Sequence, residues 1–217
     1  MKEKRRISIY KKGFRILGIA ESFKKEYFPH FDKSVIAGVI VRGDLQVDGF
    51  AFNFITVRGL DATEKIIELY RMMSRPDISI IMLSGTVIAL YNVIDLNKLY
   101  DDIKKPIIAV TYEESKGIER FLLELPDGEE RVRIHHRNGP RIPILLKNSF
   151  RVFIRPVGIS IDEAVYVLNR FTIHGRYPEP VRLARILARA LLSYIFNKRE
   201  ELCGILSKLC RDKMGNV

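Results

Sequence analysis

A chain of 217 residues with 47% hydrophobic content can bury one substantial core or two small ones. Its longest apolar runs, Ile78 to Leu83 and Val87 to Tyr91, fall far short of the roughly 20 residues a membrane span needs. The basic N-terminus MKEKRRISIYKKG has no apolar stretch followed by a small-residue cleavage site, so a soluble, cytoplasmic protein with no membrane partner is expected.

The formal charge is +11, unevenly spread. Lys and Arg stand against Asp and Glu as 7 to 1 over residues 1–15, 7 to 2 over 129–155 and 8 to 3 over 180–213, leaving the remainder at −5. Basic segments on an otherwise acidic body suit a polyanion, because neutralised phosphates release condensed counterions. A Lys-rich and Arg-rich, thermostable surface gives the same count. Charge alone leaves both readings open.

Residues 1–13 read as a basic N-terminal segment and 14–217 as a single domain. Phe14 to Ala20 (FRILGIA), Val35 to Arg42 (VIAGVIVR) and Gln46 to Val57 (QVDGFAFNFITV) read as three strands, with Gly43-Asp44 a hairpin signal between the last two. After Gly59 the period changes. LDATEKIIELYRMMSR places Ile66, Ile67, Tyr70 and Met73 on one helical face, with Asp61 as N-cap and Glu64 three residues later as its box partner.

Pro76 ends that helix, Ile78 to Leu83 makes a strand, Asp95 to Lys104 a short helix and Pro106 to Thr111 another strand. Strands alternating with helices indicate parallel pairing. Between 113 and 155 the sequence allows a helix, a turn at Asp127-Gly128 and strands near 131–136 and 150–155, of which only Phe150 to Arg155 is well marked. Ser160 with Glu163 opens a further helix, and after HGRYPEP a long helix runs to about Arg211, Pro180 in its first turn. The order predicts an α/β, ribonuclease-H-like mixed five-stranded sheet flanked by helices, with a long C-terminal helix.

Three stretches carry a more specific likeness: RILGIAES at 15–22, GLDATEKI with IMLSGTVIALYNVIDLNKLY, and ISIDEAVYVLNRFTIHGRYPEPVRLARILA. The second resembles the central helix and fourth strand of the mainly archaeal domain of unknown function 99 family, also called uncharacterised protein family 0215. The third contains Arg-Tyr-Pro-Glu-Pro-x-Arg, similar to a C-terminal segment of endonuclease V. The resemblance covers roughly residues 14–195. It implies an endonuclease-V-like domain from a lineage of magnesium-dependent nucleases that cut near deaminated bases.

In that chemistry, carboxylates at the first strand, the central helix and the end of the fourth strand hold the metal. This chain departs from the pattern. The first-strand aspartate matches Ala20, with Glu21 one place later and facing the other side by strand alternation. The fourth-strand aspartate matches Ser84, the second-shell lysine falls near Tyr112, and the late histidine falls near Val157 or Gly158. The acidic residue of the central helix survives as Glu64 or Asp61.

The resemblance therefore leaves Glu21, Glu64 and Asp61 as a degenerate catalytic set. Glu21 and Glu64 are the candidate Mg²⁺ ligands; sharing an ion requires their oxygens within about 5 Å of each other.

Arg182, Arg185 and Arg189 recur at i, i+3 and i+7 opposite Leu183, Leu187 and Leu191, a candidate nucleic-acid-binding stripe or a solvated helix face. His135, His136 and His174 read as surface or hydrogen-bonded histidines. Cys203 and Cys210, about 10 Å apart along one helix, read as packing residues rather than a disulfide. No P-loop, Rossmann fingerprint, nucleophile elbow or zinc motif is present.

The leading expectation is an endonuclease-V-like protein that binds DNA or RNA with weak or lost metal-dependent nuclease activity. A rearranged magnesium nuclease using Glu21 and Glu64, with Asp61 or Asp44, is the enzyme alternative. A protein-interaction scaffold is the third, and a homo-oligomer is left open.

Overall fold

A computed structural model describes residues 11, 13–28, 31–114 and 117–214, with side chains of the last helix described through residue 198. Most of the basic N-terminal segment and the side chains of Cys203 and Cys210 lie outside the described residues.

Strands β1 (Arg15–Ser22), β2 (Lys33–Arg42) and β3 (Val47–Thr56) form the antiparallel meander that the sequence predicts. Helix α1 (Ala62–Met73), β4 (Ile80–Ser84), a short hairpin of β5 (Val87–Ile88) and β6 (Asn92–Val93), α2 (Leu96–Ile103) and β7 (Ile107–Thr111) follow. β4 runs parallel to β1 and β7 parallel to β4. The resulting order β3-β2-β1-β4-β7 is the expected ribonuclease-H-like core.

Two more strands extend it. Helices α3 (Glu119–Leu123) and α4 (Gly128–Arg137) lead to β8 (Ile142–Leu145) and β9 (Arg151–Val157); β9 adds antiparallel to β7, and β8 forms the outer edge of a seven-stranded sheet. The strand expected near 131–136 is instead α4. The Arg-Val-Arg-Ile alternation imitates a strand, but Glu129 and Glu130 fall in the first turn and His135, His136 and Arg137 in the last, the distribution a helix dipole favours.

Alternation sends Ile16, Ala20, Ile80, Met82, Ile108 and Val110 to one face, beneath α5 (Ile161–Phe171) and α6 (Glu179–Met214). Leu17, Ile19, Ile81, Leu83, Ile107 and Ala109 go to the other, beneath α1 and α2. Burial on both faces is why these strands read as continuous apolar runs. α5 carries the predicted capping box: Ser160 Oγ accepts from the Glu163 backbone at 3.2 Å while Glu163 Oε2 accepts from the Ser160 backbone at 3.1 Å.

Helix α6 buries Val181, Ala184, Ala188 and Leu192, leaving Leu183, Leu187 and Leu191 only partly buried beside that line. The small residues allow close approach to β1, where a Cβ on Gly18 would lie 2.2 Å from the Pro180 carbonyl carbon. Among the described residues no helix is long and apolar enough to cross a membrane.

Candidate functional site

Side chains of the NVID segment tie the connection between β3 and α1 to β6 and cap α2. Asn92, fully buried, donates to the Thr56 carbonyl at 2.9 Å and to Asp61 Oδ1 at 2.7 Å, and its own oxygen accepts the first amide of α1, Ala62 N–H, at 3.1 Å. Asp95 caps α2, accepting from the Asn97 and Lys98 amides at 3.1 Å, and pairs with Arg137. In the turn between β5 and β6, Ala89, Leu90 and Tyr91 all take positive φ, 43°, 55° and 80°. Such left-handed backbone costs a non-glycine residue of order 1–3 kcal/mol and survives only where its surroundings enforce it.

An open cleft of about 400 Å³ lies at the carboxyl ends of β4 and β7. Ser84 and Gly85 lie at its floor, with Gly85 at φ 87°. Tyr112 and Tyr177 form an aromatic wall, ring centroids 4.3 Å apart, and Arg185 lies 5.5 Å from the Tyr177 centroid. The Tyr112 hydroxyl is buried without a hydrogen-bond partner, and burial pushes its pKa far above the usual tyrosine value.

Glu113 and Glu114 on the rim pair with Arg176 at 3.5 Å and Arg151 at 3.6 Å. Arg141 and Arg185 line the same cleft with no carboxylate within ion-pairing distance among the described residues. The cleft therefore sets two arginines that lack an ion-paired carboxylate among the described residues next to two tyrosine rings.

The sequence-predicted residues are distributed as follows. Ala20 and Ser84 share the α5/α6 face, and Glu21 faces the opposite one with Leu17 and Ile19. Glu21 accepts from Ser34 Oγ; Glu64 pairs with Lys98 across α1 and α2. Asp61 sits at the N-cap position of α1 but makes no cap bond. Its carboxylate accepts instead from Thr56 N at 3.2 Å, Thr56 Oγ1 at 2.9 Å and Asn92 Nδ2.

Asp44 belongs to the β2–β3 hairpin near the amino end of β1, paired with Arg42 at 2.7 Å, and so lies a strand's length from Glu21. The acids thus have separate partners. Among the described residues no group of three or more His, Cys, Asp or Glu is placed to hold a metal ion. A magnesium site of the endonuclease V type needs clustered carboxylates, and the donors present do not fit it.

Of the arginine stripe, Arg185 reaches the cleft, Arg182 is engaged by Glu179 at 2.9 and 2.7 Å, and Arg189 is exposed further along α6. Val157 pairs with Ile107 at the amino end of β7, so the Val157-Gly158 position is away from the cleft. Arg141, Tyr177, Glu113 and Glu114 were not legible as site residues, although Tyr177 lies inside the RYPEP segment and Arg141 inside the basic run 129–155.

Burial is the dominant influence on Glu21 and raises its pKa, outweighing the bonds from Ser34 and the Ala89 amide and the positive charge of Arg185. Folding therefore shifts Glu21 towards its protonated form relative to the unfolded chain. Its contribution to stability is complete below the ordinary glutamate value of about 4.3 and is lost as pH rises through the raised value. Glu21→Gln should accordingly be more stable than the parent at pH 7, the gap closing toward pH 4, in urea unfolding at both pH values. A variant less stable at pH 7 would contradict this assignment.

A family model described as Endonuclease dU matches residues 12–192. A UPF0215 protein of Pyrobaculum calidifontis is 34% identical over 181 residues, covering 82% of this chain and 97% of the relative. The crystal structure of a protein of unknown function from Archaeoglobus fulgidus is similar with a TM-score of 0.70 and 28% identity, over 82% of this chain and 98% of that one. Ciona intestinalis Endonuclease V in complex with a 24mer DNA containing an inosine followed by a ribo-adenosine is similar in fold, with a TM-score of 0.55 and 15% identity over 85% of this chain and 87% of that chain. By sequence the chain belongs to the family described as Endonuclease dU, and its fold is that of endonuclease V.

Proposed function

We propose that the protein binds nucleic-acid strands in the cleft at the carboxyl ends of β4 and β7, prefers a strand carrying deoxyuridine, and has weak or lost magnesium-dependent nuclease activity. The observation that carries this reading is the pairing of Arg141 and Arg185, free of carboxylate partners among the described residues, with the Tyr112–Tyr177 wall in one cleft. Arginines neutralise backbone phosphate. Tyrosine rings stack bases, at about 1–3 kcal/mol per base. The family description supports deoxyuridine as the base, and the DNA complex of the Ciona protein supports a nucleic-acid ligand at this fold. Ala20 and Ser84, neutral at two of the expected ligand positions, support weak or absent cleavage.

Fluorescence anisotropy with single-stranded 20-mers, one carrying deoxyuridine and one thymidine, tests the reading. The logarithm of the affinity should fall linearly with that of salt concentration, by about 0.7 per phosphate contacted. The triple variant Arg182→Glu, Arg185→Glu, Arg189→Glu should weaken binding, with Arg185→Glu alone causing most of the loss. Affinity that stays flat across the salt titration would remove nucleic acid and favour the interaction scaffold.

A second reading, an active nuclease with rearranged carboxylates, is favoured by Glu113 and Glu114 on the rim beside Ser84 and by the family description. Robust magnesium- or manganese-dependent cutting of the deoxyuridine strand, abolished in Glu113→Gln/Glu114→Gln, would establish it over the first.

A further inference from the structure

Beside the cleft, and sharing Gly85, Val87, Thr111 and Arg141 with it, is a recess of about 180 Å³ also lined by Arg155 and His135. Arg155 is only 7% exposed and meets no carboxylate within ion-pairing distance among the described residues. Its Nε donates to the Gly139 carbonyl at 2.7 Å and its Nη1 to Thr86 Oγ1 at 3.1 Å, both neutral acceptors. Arg141 stacks on Phe153 at 5.0 Å and donates to the Glu113 carbonyl at 2.9 Å, again without a carboxylate. Thr111 Oγ1 and His135 Nδ1 are buried with no hydrogen-bond partner.

Burying a cation without a counter-charge is costly, and buried polar atoms are ordinarily paired. Here two guanidinium groups and two unsatisfied polar atoms border one recess. The anion that would complete them must accept hydrogen bonds from β7, α4, β9 and the residue just before β8 at once. A planar carboxylate presents two oxygens in one plane, whereas a tetrahedral phosphoryl group presents oxygens in several directions and suits arginine forks.

We propose that this recess binds a phosphoryl group, held by Arg155 and Arg141 and completed by Thr111 and His135. In naming its source as the phosphate of a strand whose base occupies the cleft, the proposal rests on the nucleic-acid reading above. Free phosphate offers the same chemistry. Around His135 the charged or titratable groups are Arg155, Arg141, His136 and Glu119; burial, then Arg155, holds the imidazole below the ordinary histidine pKa, and a bound phosphate would draw it back up.

The test follows the His135 imidazole resonances by NMR in the full-length protein at constant ionic strength, adding inorganic phosphate, a single-stranded deoxyuridine 6-mer, or the same 6-mer with phosphate in competition. Phosphate should move these resonances and raise the His135 pKa, and it should displace the strand. Arg141→Gln and Arg155→Gln should each weaken both ligands at least tenfold. Thermal melting establishes whether Arg155→Gln is folded, and the less buried Arg141→Gln carries the test if it is not.

If neither phosphate nor strand perturbs His135, or if Arg141→Gln binds phosphate as the parent does, the site is overturned. Salt-dependent strand binding that persists in that case leaves the functional reading standing. If phosphate binds as expected but the strand does not bind at all, the nucleic-acid reading fails and the recess stands as a site for free phosphate.

Discussion

Gly18→Ala is expected to destabilise the protein by about 3 kcal/mol or more, at or above the upper end of ordinary overpacking effects. Gly18 sits mid-strand in β1, paired with Val39 of β2 and Met82 of β4, so it cannot move without disturbing both neighbours. A methyl group there would lie 2.2 Å from the Pro180 carbonyl carbon and 2.3 Å from its oxygen. These are backbone atoms in the first turn of α6, flanked by the Arg182 amide bond to Pro178 O at 2.9 Å and by fully buried Val181. The helix must therefore shift as a body, carrying Arg185 out of register with β4 and β7 and displacing the adjoining Tyr177. Urea unfolding should show the loss, and strand affinity should fall with it. Gly13→Ala, with nothing within 4 Å of the added carbon, is the control and should change stability by no more than about 0.5 kcal/mol. A Gly18→Ala protein as stable as that control would show that α6 does not pack on β1 as closely as described.

Arg131→Met should cost about 3–5 kcal/mol, because it strips a buried charged donor from several acceptors at once. Arg131 is 3% exposed and donates to the Pro126 carbonyl at 3.0 Å, Gly59 at 2.7 Å, and Tyr91 and Arg58 at 2.8 Å. Two of those carbonyls belong to residues with positive φ, Tyr91 at 80° and Arg58 at 60°. Arg58 in turn donates its amide to Ala89 at 2.9 Å. One side chain thus clamps the strained β5–β6 hairpin to the loop entering α1, and through the Ala89 amide it supports Glu21. Hydrogen exchange at 87–93 should accelerate in Arg131→Met more than at β1 or β4. Arg131→Lys, with fewer donors on a narrower head, should recover part of the stability. A methionine variant within about 0.5 kcal/mol of the parent would remove the clamp.

Much of this architecture is legible along the chain. Period-two and continuous apolar runs mark β1 to β4 and β7, a 3.6-residue period marks α1, and Ser160 with Glu163 marks α5 through a bond pattern only three residues wide. The replacement of expected carboxylates by Ala20 and Ser84 is likewise visible once the strands are aligned to the resembled family. Where local signals conflict, reading fails: Arg131 to Ile134 alternate like a strand, yet the charge distribution across Gly128–Arg137 and the burial of Arg131 belong to a helix.

The site itself was decided by contacts far apart in sequence. Asp61 and Glu64 have the spacing of a helix-start box, but Asn92, 31 residues from Asp61, takes over the capping and leaves that carboxylate in a structural network. Arg155 reads as one more basic residue on a strand until Thr86, 69 residues away, and the walls of the recess bury it without a counter-ion. Arg185 separates from Arg182 because α6 turns one towards Tyr177 and the other towards Glu179. Periodicity and capping act over a few residues and so are written in short stretches of sequence. Burial, charge compensation and the meeting of side chains from different strands depend on how the sheet stacks its layers, and only the tertiary structure settles them.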